Sequence, residues 1–291
     1  MRLGLHALGI GAGAQRALID AVASAAESCG FATLWAGEHV VMVDRSDSRY
    51  PYSDDGVIAV PAQADWLDPM IALSFAAAAS SRIGIATGVL LLPEHNPVVV
   101  AKQAASLDRL SGGRLTLGVG IGWSREEFAA LGVPFEHRAA RTAEYVAAMR
   151  ALWLDDVASF DGKFVGFDSV RVNPKPVRDR RIPVVVGGNG DSALRRVVAW
   201  GNGWYGFNLD GVAAVRERVG KLDQLCAESG RDLAELRLAV ALRSPEVGDV
   251  SALAELGVDE LVLVESPPDR AEAATGWVSA LAEQWMRVLP Q

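Results

Sequence analysis

The chain has 291 residues, half of them apolar, with a formal net charge of −8 and only two cysteines. That length fits one large domain with a substantial core, and the acidic balance argues against a basic nucleic-acid-binding face. No apolar run reaches the roughly 18 residues that span a bilayer. Cys29 and Cys226 lie far apart and share no metal-ligand spacing, so a reduced, cytoplasmic, membrane-free protein is expected.

The N-terminus, Met1 to His6, reads as a strand over Leu3–His6 and not as a signal peptide. Helical periodicity over Ala14–Cys29 stops at Gly30, where a left-handed cap is expected. Thr33–Ala36 is the second strand, with Gly37-Glu38-His39 at its C-terminal end. The polar stretch Val43–Asp65 is too long for an ordinary connection and reads as a functional loop. Pro69–Ala79 is an alanine-rich helix with proline at its start. Strands at Ile83–Thr87 and Leu115–Val119 bracket a helix over Val98–Leu110 that stops at Ser111-Gly112-Gly113. Both strands end in loops nearly free of side chains: Gly88 after the first, Gly118-Val119-Gly120-Ile121-Gly122-Trp123 after the second. Such loops read as close backbone approach to a flat ring system.

Helices follow at Ser124–Leu131 and Thr142–Leu154, and Asp161–Val177 reads as a hairpin excursion outside the repeat. The strand Pro183–Val186 ends in Gly187-Gly188-Asn189-Gly190. Asp191 or Ser192 is placed to cap the helix Ala193–Trp200, which makes this loop a candidate anion site. Strands at Gly203–Phe207, Arg237–Ala241 and Glu260–Val264 alternate with helices at Val212–Ser229, Val250–Leu256 and Arg270–Leu289. Eight strand–helix units predict an α/β protein, a closed (β/α)8 TIM barrel. It carries an extended loop after strand two and an insertion after helix four, in a single domain over 1–291. An open doubly wound sheet is the alternative.

Barrel active sites form at the C-terminal ends of the strands. That rule selects His6, Glu38, His39, Gly88, Val89, the Gly118–Trp123 loop, Gly187, Gly188, Asn189, Asn208, Arg243, Glu265 and Ser266. Three of the four histidines, His6, His39 and His95, fall in or beside this rim, and histidine exchanges protons near neutral pH. His39, beside Glu38, is the strongest candidate. No G-x-S-x-G, Walker A or H-E-x-x-H pattern occurs. Three classes stand on the residues alone: a redox enzyme holding a flat phosphorylated cofactor, a metal-assisted hydrolase using the histidines, and a non-catalytic binding protein.

The segments AAESCGFATLWAGEHV, TGVLLLPEHNPVVVAKQAASLDRLSGGRLTLGVGIGW, EEFAALGVPFEHRAARTAEYVAAMRALW and IPVVVGGNGDSALRRVVAWGNGWY resemble the luciferase-like flavin monooxygenase superfamily. Within it, the deazaflavin branch is the nearest likeness. The resemblance implies coenzyme F420, with FMN as the alternative, lying across the strand ends. It implies an organic small-molecule substrate and no metal. His39 would move a proton and Glu38 would orient His39 or touch the ring. Gly88-Val89 would be a cis bulge behind the ring, Gly118, Gly120, Gly122 and Trp123 would contact the ring and its chain, and Gly187, Gly188 and Asn189 the phosphate. Relatives usually carry Ser at position 189 and Asp at position 202, where this chain has Asn189 and Asn202. They are mostly dimers, so a homodimer is expected, with the alanine-rich stretches Ala21–Ala26 and Leu73–Ala79 available for packing against a partner. The Val43–Asp65 loop, with Tyr50, Tyr52 and Trp66, is the expected lid.

Overall fold

A computed structural model describes residues 1–289. Its strands are β1 (Arg2–His6), β2 (Thr33–Ala36), β3 (Gly84–Thr87), β4 (Leu90–Leu91), β5 (Leu115–Gly120), β6 (Ala158–Asp161), β7 (Gly166–Val170), β8 (Val184–Gly187), β9 (Gly203–Leu209), β10 (Arg237–Leu242) and β11 (Glu260–Val264). The main helices are α1 (Arg16–Cys29), α2 (Pro69–Ala78), α3 (Pro97–Leu110), α4 (Arg125–Ala130), α5 (Arg138–Leu154), α6 (Asp191–Trp200), α7 (Gly211–Ser229), α8 (Asp249–Glu255) and α9 (Ala271–Trp285). Eight parallel strands close in the order β1-β2-β3-β5-β8-β9-β10-β11 and back to β1. This is the expected (β/α)8 barrel. The excursion is an antiparallel β6–β7 hairpin that begins three residues before the expected Asp161.

Strand side chains alternate between two cores. The outward set meets the helices: Leu34 and Ala36 of β2 and Leu261 and Leu263 of β11 are fully buried beneath them. Each fully buried leucine of this kind contributes about 1.5–3 kcal/mol. The inward set is Trp35, Ala86, Val185, Tyr205, Ala239, Ala241 and Val262. Trp35 stacks on Tyr205 with ring centroids 4.6 Å apart, so two aromatic rings fill the barrel where most of its strands supply small side chains.

Below them the barrel floor is polar. Glu260, fully buried, accepts from Trp35 Nε1 at 2.8 Å and Thr33 Oγ1 at 3.2 Å and pairs with Arg237. Gly4 makes room for it, since a Cβ there would lie 2.3 Å from Glu260 Oε1. A buried carboxylate needs this degree of partnering to be tolerated.

α1 ends at Gly30, whose φ of 88° is the expected left-handed cap. α6 departs from expectation. It starts at Asp191 after the N-cap Gly190, and neither Asp191 nor Ser192 caps it with its side chain. Asp191 instead pairs with Arg218 at 2.9 Å. The alanines expected to meet a partner subunit, among them Ala23, Ala26 and Ala76, are buried within the chain itself. Among the described residues, no helix is long and apolar enough to cross a membrane.

Candidate functional site

A cavity of about 850 Å³ opens at the C-terminal rim of the barrel, within the size range of cofactor and ligand sites. Its walls come from the ends of the strands and from the loop after β2. His6, Glu38, His39, Gly88, Val89, Gly120, Gly122, Trp123, Gly187, Gly188 and Asn189 all lie on it.

His39 is held from two sides. Its Nδ1 lies 2.8 Å from Oε2 of Glu127, and its ring stands edge-on to Trp66 and Trp123, with centroids 4.9 and 5.8 Å away. Oε1 of Glu127 accepts from Val40 N at 2.8 Å and Val41 N at 3.3 Å. A carboxylate only accepts hydrogen bonds, so the contact places the ring proton on Nδ1. Among the described residues Nε2 then has no hydrogen-bond partner and is left for whatever enters the cavity.

Glu38 makes no hydrogen bond to His39, which corrects one of the two roles expected of it. One of its oxygens accepts from Leu91 N, and the other lies 3.0 Å from Nε2 of His95. Leu91 follows directly on the bulge after β3, in which the Gly88-Val89 peptide is cis as expected. Glu38 therefore fastens β4 and the bulge. Burial disfavours the charged form of His95, but the Glu38 hydrogen bond and charge outweigh it and raise its pKa. His6 is different: burial drives its pKa down to about 4, so it is a neutral ring, with Nδ1 3.3 Å from the Tyr205 hydroxyl. His6, His39 and His95 thus sort into a buried neutral ring at the cavity wall and two separate carboxylate pairs. They do not converge as a metal site would require, and among the described residues no three His, Cys, Asp or Glu side chains are grouped to hold a metal ion.

Between the two pairs sits Glu94, only 7% exposed, with both carboxyl oxygens buried and without partners. Burial first, then the charges of Glu127 and Glu38, push its pKa up to about 9. It is a neutral acid at physiological pH. It packs under Gly122, where a Cβ would come within 2.8 Å of its Oε1.

The glycines divide in function. Gly118 does not reach the cavity. Its missing side chain makes room for the Thr87 carbonyl, 2.0 Å from where a Cβ would stand. Gly120 and Gly187 leave space for Val89, whose methyl carbons would lie 2.7 and 2.9 Å from their Cβ positions. The bulge thus lies tight against the ends of β5 and β8 and closes the cavity floor. Gly188 has φ +115°, a backbone state open to glycine. The Asn189 side chain is engaged by Phe207: its Nδ2 donates to Phe207 O at 2.7 Å and its Oδ1 accepts from Phe207 N at 3.1 Å.

The loop over 43–65 closes the cavity. Tyr50 packs on Trp123 and on Tyr52, and Tyr52 on Phe207, each pair 5.4 Å between centroids. Its base hangs on Glu126, which accepts from Asp47 N at 2.9 Å and Ser48 N at 3.2 Å. Its tip is tied by Asn208, which donates to Tyr52 O at 2.6 Å, and by Arg243, which pairs with Asp54 at 3.1 Å. Asn208 and Arg243 therefore tie down the tip of this loop.

Two arginines on the wall, Arg138 and Arg196, escape the strand-end rule because they rise from α5 and α6. Nε of Arg138 donates to Gly122 O at 3.1 Å. Nε of Arg196 is buried with no acceptor. Burial, and after it the charge of Arg138, lowers the Arg196 pKa, against the opposing influence of Tyr52. Glu127, Glu94 and Arg138 are the residues that sequence reasoning misses. Arg196 is signalled by its position one turn into the helix that follows the Gly187–Gly190 loop; Arg138, the first residue of α5, carries no such signal.

The family model for the luciferase-like monooxygenase domain matches residues 5–285. An uncharacterized protein of Mycobacterium tuberculosis is 38% identical over 264 residues, covering 90% of this chain and 92% of that one. Among solved structures, the coenzyme F420-dependent tetrahydromethanopterin reductase of Methanopyrus kandleri superposes with a TM-score of 0.76 at 16% identity, over 99% of both chains. The oxygenating constituent of 3,6-diketocamphane monooxygenase from Pseudomonas putida, in complex with FMN, gives 0.76 at 14% identity, over 100% of this chain and 99% of that one.

Proposed function

The chain belongs to the luciferase-like monooxygenase family, and on that footing we propose that it is an oxidoreductase that transfers a hydride between coenzyme F420 and an organic substrate. The observation that carries this reading is the His39–Glu127 pair, with Nε2 turned to a cavity walled by Trp66, Trp123, Tyr50 and Phe207. The residues suit such a cofactor on two counts. The volume and aromatic walls match a three-ring system with its chain. The buried Arg196 Nε lacks the acceptor that a phosphate oxygen would supply. Gly188 and Gly190 line the same wall.

When bound, a deazaflavin supplies a two-electron hydride acceptor or donor. The protein supplies the proton. His39, its Nδ1 proton anchored on Glu127, takes the proton that a substrate hydroxyl releases at Nε2 as the carbonyl forms, and returns it in the reverse direction. Gly88, Val89 and Trp123, all on the cavity wall, would hold the ring. The loop over 43–65 excludes water and shapes the substrate space with Tyr50, Tyr52 and Trp66, which favours a partly apolar substrate. We include a homodimer in this reading, supported by the exposed Ile71 and Phe75 of α2 and Val99 of α3. Sedimentation velocity tests it.

Fluorescence titration of the protein with F420 and with FMN tests the cofactor. Tight binding of F420 is expected. Tight FMN binding with no F420 binding would replace this reading with an FMN-dependent monooxygenase, the alternative favoured by the fold shared with the FMN complex above.

A further inference from the structure

The cavity carries opposite charges at opposite ends. In the closed order β1-β2-β3-β5-β8-β9-β10-β11, four steps lead straight across the barrel, so β5 faces β11 and β8 faces β1. Arg138, which donates to Gly122 O in the loop after β5, and Arg196, on the helix after β8, make one side of the wall positive. Glu265 stands on the far side, directly after β11, with its backbone amide anchored on His6 O at 3.1 Å.

Glu265 is a carboxylate without a cation. The other acid on the cavity wall, Glu38, is committed to Leu91 and His95. Among the described residues nothing donates to the Glu265 carboxylate, and burial, which raises its pKa, is the one influence on it. Arg243, at the end of the adjoining β10, pairs with Asp54, and Arg270, which precedes α9, lies against Glu272. His6 is a neutral ring. A partly desolvated carboxylate left unpaired costs free energy that a bound cation recovers.

The wall between Glu265 and His39 is apolar, lined by Leu8, Ile10, Trp66 and Pro267. The loop after β1 is tied to the end of the 43–65 loop, with Gly11 N donating to Asp65 O at 2.9 Å and Leu67 N donating to Gly9 O at 2.8 Å. Pro267 packs on the same loop, 3.4 Å from where a Cβ on Gly13 would stand. β11, β1 and β2 run side by side in register, Val264 beside His6 and His6 beside Trp35. Two strand spacings, about 10 Å, therefore separate the end of β11 from the end of β2 that leads to His39.

We propose that the substrate is an apolar molecule carrying a protonated amine, and that Glu265 receives the amine across the apolar strip from His39. This rests on the reading above, in which the arginine side of the cavity holds the cofactor's phosphate and leaves the Glu265 side to the substrate. A carboxylate substrate is repelled from that side by Glu265, and a neutral one leaves the acid unpaired.

Three probes on one carbon frame test the charge preference: 4-phenylbutylamine, 4-phenylbutan-1-ol and 4-phenylbutyrate. Each is titrated by saturation-transfer NMR at pH 7 and low salt, with and without F420, against the wild type, Glu265→Gln and Glu265→Lys. Glu265 is open to the cavity and makes no side-chain contact that the fold depends on, and an unchanged alcohol affinity checks that each variant is intact. In the wild type the amine is expected to bind about three- to fivefold tighter than the alcohol, the scale of one partly solvated ion pair, and the carboxylate weakest. Glu265→Gln brings the amine level with the alcohol. Glu265→Lys puts the carboxylate ahead of the amine. The order persists with F420 bound, because the two ligands occupy opposite ends. An amine that binds no tighter than the alcohol, absence of binding by all three probes included, overturns the proposal, as does a preference that survives Glu265→Gln or an amine displaced by F420. In each of those cases normal F420 binding leaves the cofactor reading standing. An intact amine preference in a protein that does not bind F420 overturns the cofactor reading and leaves the amine site in place.

Discussion

Replacing Glu127 with glutamine isolates what the carboxylate does for His39. Both Glu127 oxygens accept hydrogen bonds in the native protein: Oε2 from His39 Nδ1 at 2.8 Å, Oε1 from the amides of Val40 and Val41. A glutamine has one accepting oxygen and one donating nitrogen. The two backbone amides are fixed donors, so they claim the oxygen. The NH2 group then faces Nδ1, which becomes an acceptor, and the ring proton moves to Nε2. His39 now presents a donor to the cavity where it presented an acceptor. By analogy with the same wrong-tautomer substitution in serine proteases, the proton-transfer step should slow by about 10²–10⁴-fold. The fold should hold, because shape and hydrogen-bond count are nearly preserved. Long-range proton–nitrogen NMR on 15N-histidine-labelled protein reads the tautomer without any substrate. The wild-type His39 should show a protonated Nδ1 and the variant a protonated Nε2. If both proteins show the same tautomer, Glu127 is not what sets the ring, and the proton path assigned to Nε2 is wrong.

Glu94 gives a pH signature. Its folded-state pKa is raised to about 9 from an ordinary 4.5, so its stabilising contribution is complete below pH 4.5 and is lost as pH rises toward 9. Glu94→Gln does not titrate, so its melting temperature should gain on the wild type from pH 5 to pH 9 by differential scanning fluorimetry. Parallel curves would remove the neutral acid from the account. Glu260→Ala leaves Arg237 beneath the barrel without its carboxylate and should cost about 3–5 kcal/mol in urea unfolding; a loss under 1 kcal/mol would mean that water or a shifted side chain compensates. Arg243→Ala breaks an exposed pair with Asp54 and should change stability by less than about 1 kcal/mol. Cofactor release followed by stopped-flow fluorescence should nonetheless quicken, by about two- to fivefold, as the loop tip loosens; an unaltered release rate argues that this tip is not a gate.

The eight strands are legible in the sequence because each is a short apolar run bounded by glycine, proline or a polar turn, and the alternation with helices admits few closures. His39 is legible for the same reason, as the residue that a strand end must present. Its partner is not. Glu38 is adjacent in sequence, yet its side chain leaves toward Leu91 and His95. Glu127 lies 88 positions away and approaches from a helix start. Ser124-Arg125-Glu126-Glu127 has the pattern of a capping box, and Ser124 does accept from Glu127 N at 3.2 Å, but the Glu127 carboxylate reaches across to His39. Sequence spacing reports neighbours along an element and is silent on side chains that meet between elements. The same limit hides Arg138, whereas Arg196 is placed by its position one turn into the helix after the candidate anion loop. Gly118 errs in the other direction: a glycine run reads as ligand clearance throughout, while the first member serves contact between two strands.

Because Glu126 and Glu127 are successive residues of α4, one short helix carries both the foot of the loop over 43–65 and the brace of His39, the proton-transfer group of the proposed reaction. The stretch between Tyr50 and Ala64 hangs from that foot and takes no part in holding His39. Over evolutionary time it is free to change length and composition, and with them the molecules admitted, while the proton chemistry stays in register. A protein engineer has the same freedom: a loop grafted between Ser48 and Trp66 exchanges the substrate-facing surface as a cassette and leaves the reacting geometry where it was.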